Sequence, residues 1–239
     1  MALRLLRERS EPASQNTSAA LTPTLTPSRL QYPSLYQRYG KRVLDLLVIL
    51  LFSPLWVLVY LTIVAFILIA DGRPIHYRST RIGRNGNEIP VLKFRTMEVN
   101  ADTKLGALLV ADPALEDEFN AAVKLRDDPR ITGSGRWLRR TSLDELPQLV
   151  NVCVGDMSLV GPRPVLQSEL EDFYGEHAAE VISHRPGMTG LWQVSGRSLL
   201  SYEERVALDV KYARSCALPE DLILLAKTIP SVIKARGAY

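Results

Sequence analysis

A chain of 239 residues is long enough for one substantial domain with appendages. Its formal charge of +3 at pH 7 is too small to mark a nucleic-acid binder, and its two cysteines, Cys153 and Cys216, form neither a disulfide framework nor a C-x-x-C metal site. Hydrophobic residues make up 46% of the chain but aromatic ones only 7%, so the apolar content is aliphatic, and most of it lies in one run.

Residues 1–40 pass through SEPASQNTSAALTPTLTPS, a Ser/Thr/Pro-rich stretch without periodicity that is expected to be a flexible tail. Glu8 and Glu11 interrupt its start and no apolar h-region follows, which argues against a signal peptide. Residues 43–70, VLDLLVILLFSPLWVLVYLTIVAFILIA, exceed the ~20 apolar residues that cross a bilayer. Two features speak against a crossing. Arg38, Lys41 and Arg42 precede the run and Arg73, Arg78, Arg81 and Arg84 follow it, so both ends carry the charge of a cytoplasmic flank. Ser53-Pro54 lies inside it, where Pro54 removes a helical hydrogen bond and favours a sharp kink. The expectation is a re-entrant helix over residues 41–74 that bends at Ser53-Pro54 and returns to its side of entry.

Beyond it, residues 75–239 read as one cytoplasmic catalytic domain. IHYRSTRI and EIPVLKFRTM flank Asn85-Gly86 as a β-hairpin, with Lys93 and Arg95 on the face opposite Leu92 and Phe94. DPALEDEFNAAVKLR opens a helix at Asp112-Pro113, and Ser201 with Glu204 opens another. In DLILLAKTIPSVIK, Leu222, Leu225, Ile229, Val232 and Ile233 form an apolar stripe that suits either core packing or an interfacial helix on a bilayer. The fold class expected is α+β and mainly helical: a monotopic membrane protein with a small hairpin and interfacial amphipathic helices.

The chemistry concentrates in RDDPRITGSGRWLRRTSLDELPQLVNVCVGDMSLVGPRP, residues 126–164. Ser142 with Glu145 three residues on reads as a capping box at a helix start, and Pro147 fits among the first positions of that helix. Around Asp144 and Glu145 stand Arg126, Arg130, Arg136, Arg139, Arg140 and Arg163, a density of guanidinium that suits a multiply anionic phosphate ligand. Adjacent helical residues point about 100° apart, so the two carboxylates are poorly placed to share one proton. A division of labour is physically sensible: one attacks phosphorus, the other holds Mg²⁺, which accepts one or two carboxylates plus substrate oxygens. Lys93, Arg95 and Arg163 extend the neutralisation. No P-loop, H-E-x-x-H or dinucleotide fingerprint competes, and the three histidines are scattered.

Taken together, the Ser-Pro-broken apolar helix, KFRTM, DDPRITGSGRWLRRTSLDELPQL, GDMSLVGPRP and RPGMTGLWQVSGR resemble the bacterial sugar transferase family, the small monotopic phosphoglycosyl transferases, over residues 38–239. The resemblance implies passage of a sugar 1-phosphate from a UDP-sugar to undecaprenyl phosphate with release of UMP, at the cytoplasmic face of a bacterial inner membrane, with both termini cytoplasmic. By this likeness Asp144 is the nucleophile that forms a covalent phosphosugar intermediate, and Glu145 binds Mg²⁺ with Asp156 as an accessory acid. Lys93, Arg95, Arg139 and Arg163 contact phosphate, and Arg185, Gly190 and Gln193 shape the nucleotide-sugar end. Galactose is the sugar expected from similarity to exopolysaccharide initiators, with glucose as the alternative. The rivals are a transferase that moves sugar alone and releases UDP, and a membrane-anchored module that binds phosphorylated ligands without chemistry. A homo-oligomer is compatible with the sequence and nucleic acid is not expected.

Overall fold

The computed structural model describes residues 34–122, 125 and 127–233. Most of the expected N-terminal tail lies outside these residues, but its last part does not. A wide helical turn, Tyr36–Gly40, runs directly into helix α1, Lys41–Leu51, so the last residues assigned to the tail are helical and continuous with the membrane segment. The apolar run is divided. Helix α1 stops at Leu51, Phe52 leaves the helical region (φ −95°, ψ 5°), and α2, Ser53–Ala70, begins with Pro54 in its first turn. At that position the missing proline N–H costs the helix nothing. Among the described residues α2 is the one helix long and apolar enough to cross a membrane, with a mean hydropathy of 2.4 and only 11% of its residues buried.

The described chain divides into two compact units, Leu35–Val99 with Pro129 onward, and Asn100–Asp128. The smaller unit pairs α3, Ala101–Ala111, with α4, Pro113–Ala122, over Leu105, Leu109, Phe119 and Leu125. Asp112 caps α4 as expected, its Oδ1 accepting from the Ala114 amide at 2.9 Å.

In the larger unit, strands β1, His76–Ile82, and β2, Glu88–Phe94, pair antiparallel with His76 opposite Phe94 and Ile82 opposite Glu88. Their connection needs two residues at positive φ, which Asn85 (φ 61°) and Gly86 (φ 82°) supply. Helix α5, Gly133–Thr141, follows, capped by the Thr132 hydroxyl on the Gly135 amide (3.0 Å). Next come a 3₁₀ turn, Leu143–Glu145, helix α6, Gln148–Val154, and strand β3, Ser158–Val160. Short helical turns lead to α7, Ala178–Ile182. Strand β4, Gly187–Thr189, then pairs parallel with β3, and α8, Leu191–Ser195, α9, Tyr202–Ser215, and α10, Leu218–Ile233, close the chain. Helix α9 carries the expected capping box: Glu204 Oε2 accepts the Ser201 amide at 2.7 Å and the Ser201 hydroxyl accepts the Glu204 amide at 3.2 Å.

The core explains the one acid in the apolar run. Ile49 of α1 packs with Val152, Met157, Val160, Tyr212 and Leu224, and beside them Asp45 Oδ1 accepts the Leu159 amide of β3 at 3.1 Å. A buried carboxylate there satisfies a strand edge that would otherwise lose its hydrogen bond. Helix α2 packs Ile63 and Ile67 on Phe94 and Leu138. On α10 the expected stripe splits: Leu225 is half-buried against the core while Leu222 and Ile229 face outward, the side chains of Val232 and Ile233 lie outside the described set, and the buried position is Leu224, off that stripe.

Strands β3 and β4 come together where two glycines nearly touch. A Cβ on Gly187 would lie 2.1 Å from the Gly161 nitrogen and 2.5 Å from the Thr189 oxygen, both backbone atoms that cannot swing aside. Gly187→Ala is therefore expected to cost about 3 kcal/mol and to displace the Gly161-Pro162-Arg163 loop. The measurement is the denaturation midpoint of the detergent-solubilised protein; an unchanged midpoint refutes the close approach.

Candidate active site

The dyad does not sit where a capping box would put it. Ser142 is left-handed (φ 57°, ψ 17°) and closes α5, its amide donating to the Arg139 carbonyl at 3.1 Å. Its side chain makes no cap bond to the turn that follows. Helix α5 needs a left-handed residue to end, and Ser142 fills that role instead of opening the next helix. Asp144 and Glu145 thus lie on the tight turn Leu143–Glu145, and Pro147 is the N-cap of α6. Successive residues of a 3₁₀ turn, at three per revolution, project about 120° apart, and Pro147 stands at the start of α6 behind the two carboxylates.

Lys93, from β2, donates to Glu145 Oε1 at 2.7 Å, with both side chains about a third exposed and so open to a ligand. Burial pushes the Asp144 carboxyl up to about 6, while Lys93 and Arg139 pull it down and the charge of Glu145 pushes it up. For Glu145 burial acts the same way, but Lys93, by charge and hydrogen bond, together with Arg163 and Arg197, holds it below its ordinary value. One carboxylate is poised near neutrality while its neighbour stays ionised, a separation that gives the two different work.

Of the expected phosphate ligands, Lys93, Arg139 and Arg163 are at the dyad. Arg139 also donates from Nε to Thr96 Oγ1 (2.9 Å), which ties α5 to the strand end after Lys93. Arg163 is exposed and lies over the Trp192 ring at 5.4 Å. Arg95 is a correction. It is buried, and its Nη2 donates to the carbonyls of Asp71 (2.7 Å) and Gly72 (2.9 Å) at the end of α2. The last carbonyls of a helix lack helical partners, and Arg95 serves them rather than a substrate. Arg185, expected at the nucleotide-sugar end, donates from Nε to the Gly155 carbonyl at 2.8 Å, at the far end of α6, and its charged neighbours are Arg84, Arg42 and Asp45. Arg197 is a residue that sequence reasoning did not single out. Its charge reaches Glu145, its Nε donates to the Gln193 carbonyl (3.2 Å), and its φ of 53° is one that non-glycine residues seldom adopt. The signal was the closing arginine of WQVSGR, set after Gly196.

Gly190 is a close-packing residue, since a Cβ there would lie 2.3 Å from the Gly161 carbonyl oxygen. Gln193 is beside it, its Oε1 buried without a hydrogen-bond partner. Asp156 lies past the C-terminal end of α6, where its amide donates to the Asn151 carbonyl (3.0 Å). The seven residues of α6 thus separate it from the dyad. Among the described residues no group of three or more His, Cys, Asp or Glu gathers to enclose a metal. A divalent cation that keeps its waters and takes phosphate oxygens needs only one or two carboxylates, and partly exposed Glu145 beside Asp144 meets that requirement.

The chain matches the family model described as bacterial sugar transferase over residues 36–235. It is 46% identical over 204 residues to the exopolysaccharide production protein ExoY of Sinorhizobium fredii, covering 84% of this chain and 88% of that protein. To the undecaprenyl-phosphate galactose phosphotransferase of Salmonella typhimurium it is 43% identical over 206 residues, 84% of this chain and 42% of that longer protein. To the UDP-glucose:undecaprenyl-phosphate glucose-1-phosphate transferase of Caulobacter vibrioides it is 36% identical over 207 residues, 83% of this chain and 72% of the other. A carboxylate dyad among cations, carried on a chain matched to the family from one helix of the apolar pair to the last helix, makes this protein an enzyme of the bacterial sugar transferase family.

Proposed function

We propose that the enzyme transfers a hexose 1-phosphate from a UDP-sugar to undecaprenyl phosphate and releases UMP, as the first membrane step of exopolysaccharide repeat-unit synthesis. The observation that carries this reading is the dyad itself, two adjacent carboxyls whose proton affinities are pushed in opposite directions within the field of Lys93, Arg139, Arg163 and Arg197. A module that merely bound phosphate would gain nothing from acids there, because they repel the ligand.

In the first step a carboxylate oxygen of Asp144 attacks the phosphorus that carries the sugar. The bond from that phosphorus to the bridging oxygen breaks, and UMP departs with the electron pair. In the second step a phosphate oxygen of undecaprenyl phosphate attacks the same phosphorus, the acyl phosphate bond breaks, and Asp144 returns as a carboxylate. Lys93, Arg139, Arg163 and Arg197 neutralise the diphosphate so that an anion can approach it. Glu145 would hold Mg²⁺, which supplies further neutralisation of the phosphate oxygens when bound. Galactose is the sugar we favour, in keeping with the name of the Salmonella relative, and glucose is the alternative that the Caulobacter name offers.

The helix pair α1–α2 enters and leaves the cytoplasmic face of the inner membrane on the same side. What supports this is that both outer ends are fastened to one compact unit. At the α1 end Lys41 bonds Asp221, and Arg42 donates to the carbonyls of Val152 and Cys153. At the α2 end Asp71 accepts the Thr132 and Ser134 hydroxyls. The exposed apolar surface between those ends needs a lipid cover. A tag at residue 1 and one at residue 239 are both expected to be labelled only from the cytoplasm; opposite sidedness sinks the re-entrant reading.

The function is tested with nanodisc-embedded protein, Mg²⁺, undecaprenyl phosphate and a panel of UDP-sugars. UMP is the expected product, and the donor that yields it names the sugar. UDP means transfer of sugar alone, and no product with any donor leaves a binding module.

A further inference from the structure

Helix α9 carries neither member of the dyad, yet two of its side chains, one turn apart, lie near Arg163 or the ring that it covers. The guanidinium carbon of Arg205 lies 5.2 Å from the centre of the Trp192 ring, the ring that Arg163 also covers at 5.4 Å. Trp192 is only 5% exposed, so it offers Arg163 a fixed surface. Arg205 is itself placed by a second ring, Tyr202, at 5.4 Å. Tyr202 stacks on Phe173 with centroids 4.0 Å apart and donates its hydroxyl to Glu169 at 2.5 Å. Four residues after Arg205, on the same side of α9, buried Asp209 accepts the Tyr174 hydroxyl at 2.9 Å and faces the backbone amide of Arg163.

Arg163 is thus exposed while the Trp192 ring beneath its guanidinium is buried. A long, flexible cation gains most from such fixing, because ordering it at the moment of binding would weaken the interaction. We infer that Arg205 is a positioning residue for the transfer reaction, which acts through the Trp192 ring to fix the guanidinium of Arg163 where the donor diphosphate binds. This rests on the reading of Arg163 as a phosphate ligand.

A double-substitution cycle tests it. Nanodisc-embedded full-length protein is assayed for UMP release with UDP-galactose and with UDP-glucose, at saturating Mg²⁺ and undecaprenyl phosphate. Arg205→Met is expected to lower kcat/KM about tenfold, chiefly by raising KM for the donor, and Arg205→Lys to recover most of the loss. Arg163→Met alone is expected to lower kcat/KM further still. Adding Arg205→Met to Arg163→Met is then expected to change kcat/KM less than twofold, because the group being positioned is gone. Losses that multiply instead mean that Arg205 serves only to pack α8 on α9, which overturns this inference and leaves the transfer reading intact. An Arg163→Met protein as active as the parent overturns the phosphate role of Arg163 and this inference with it. Should Arg205→Met not fold, Arg205→Gln, planar and uncharged on a similar stem, runs the same cycle.

Discussion

Asp144→Asn is expected to reduce UMP release by about a thousandfold or more, the scale on which loss of a nucleophile is felt. Asparagine has the size and shape of aspartate, so the turn Leu143–Glu145, the Lys93–Glu145 ion pair and the cation ring are expected to persist. Only the attacking oxygen is lost. A second readout separates attack from binding: without acceptor, a UDP-sugar labelled in the sugar should leave label on acid-quenched parent protein and none on the Asn variant. Label retained by the variant, or turnover within tenfold of the parent, removes Asp144 from the nucleophile's role. The pH dependence follows the same group. Its carboxyl is raised by burial to about 6, and the attacking form is the ionised one, so kcat/KM is expected to be flat above pH 7 and to fall through an acid limb near pH 6 as Asp144 takes up a proton. Cations favour the carboxylate, so raising the Mg²⁺ concentration should move that limb to lower pH. Lys93→Met should move it the other way, since it removes the largest charge opposing protonation.

Where a local sequence signal admits one backbone solution, the fold was legible. Asn85-Gly86 announces a hairpin because few other pairs hold two positive φ angles, and Asp112-Pro113 and Ser201 with Glu204 announce helix starts because their side chains serve orphan amides. Ser142 shows the limit of that code. A serine three residues before a glutamate looks the same whether it opens a helix or ends one, and the deciding fact, that α5 runs to Thr141, lies on its other side. Helix α3 escaped notice because Leu108 and the exposed Val110 blur the Leu105–Leu109 stripe. The dyad and the cationic character of the site were readable from residue types alone. Which arginine reaches the site was not. Arg95 follows Lys93 by two residues and shares its face of the strand, yet the end of α2 claims it, and the charge of Arg197, which no spacing singled out, reaches Glu145. Those assignments depend on where distant elements end, and neither spacing nor alternation encodes that.

The largest expected loss of stability lies away from the chemistry, at Lys41. Its ammonium sits 2.6 Å from Asp221 Oδ2 and 2.8 Å from the Tyr212 hydroxyl, and Asp221 is wholly buried. The same carboxylate accepts the hydroxyls of Tyr36 (2.5 Å) and Tyr212 (2.7 Å). Burial and the charge of Asp221 push both phenols up, so they remain donors. This knot joins the start of the apolar helix pair to α9 and α10. Exposed pairs such as Arg214–Glu180 are screened by water and contribute little. A buried pair differs because removing one partner leaves the other's charge desolvated, at about 3–5 kcal/mol. Lys41→Met is therefore expected to lower unfolding stability by that amount in detergent, measured by chemical denaturation. Asp221→Asn should cost a similar amount, since it strands the ammonium, while its one side-chain oxygen still accepts from one of the two tyrosines that now use separate oxygens. Combining the two removes both charges and keeps an acceptor for one phenol, so the double variant is expected to be more stable than either single one. If the two losses simply add, the charges were not compensating each other, and the attachment of the membrane helices to the catalytic unit must rest on Arg42 and the packing of Ile49 instead.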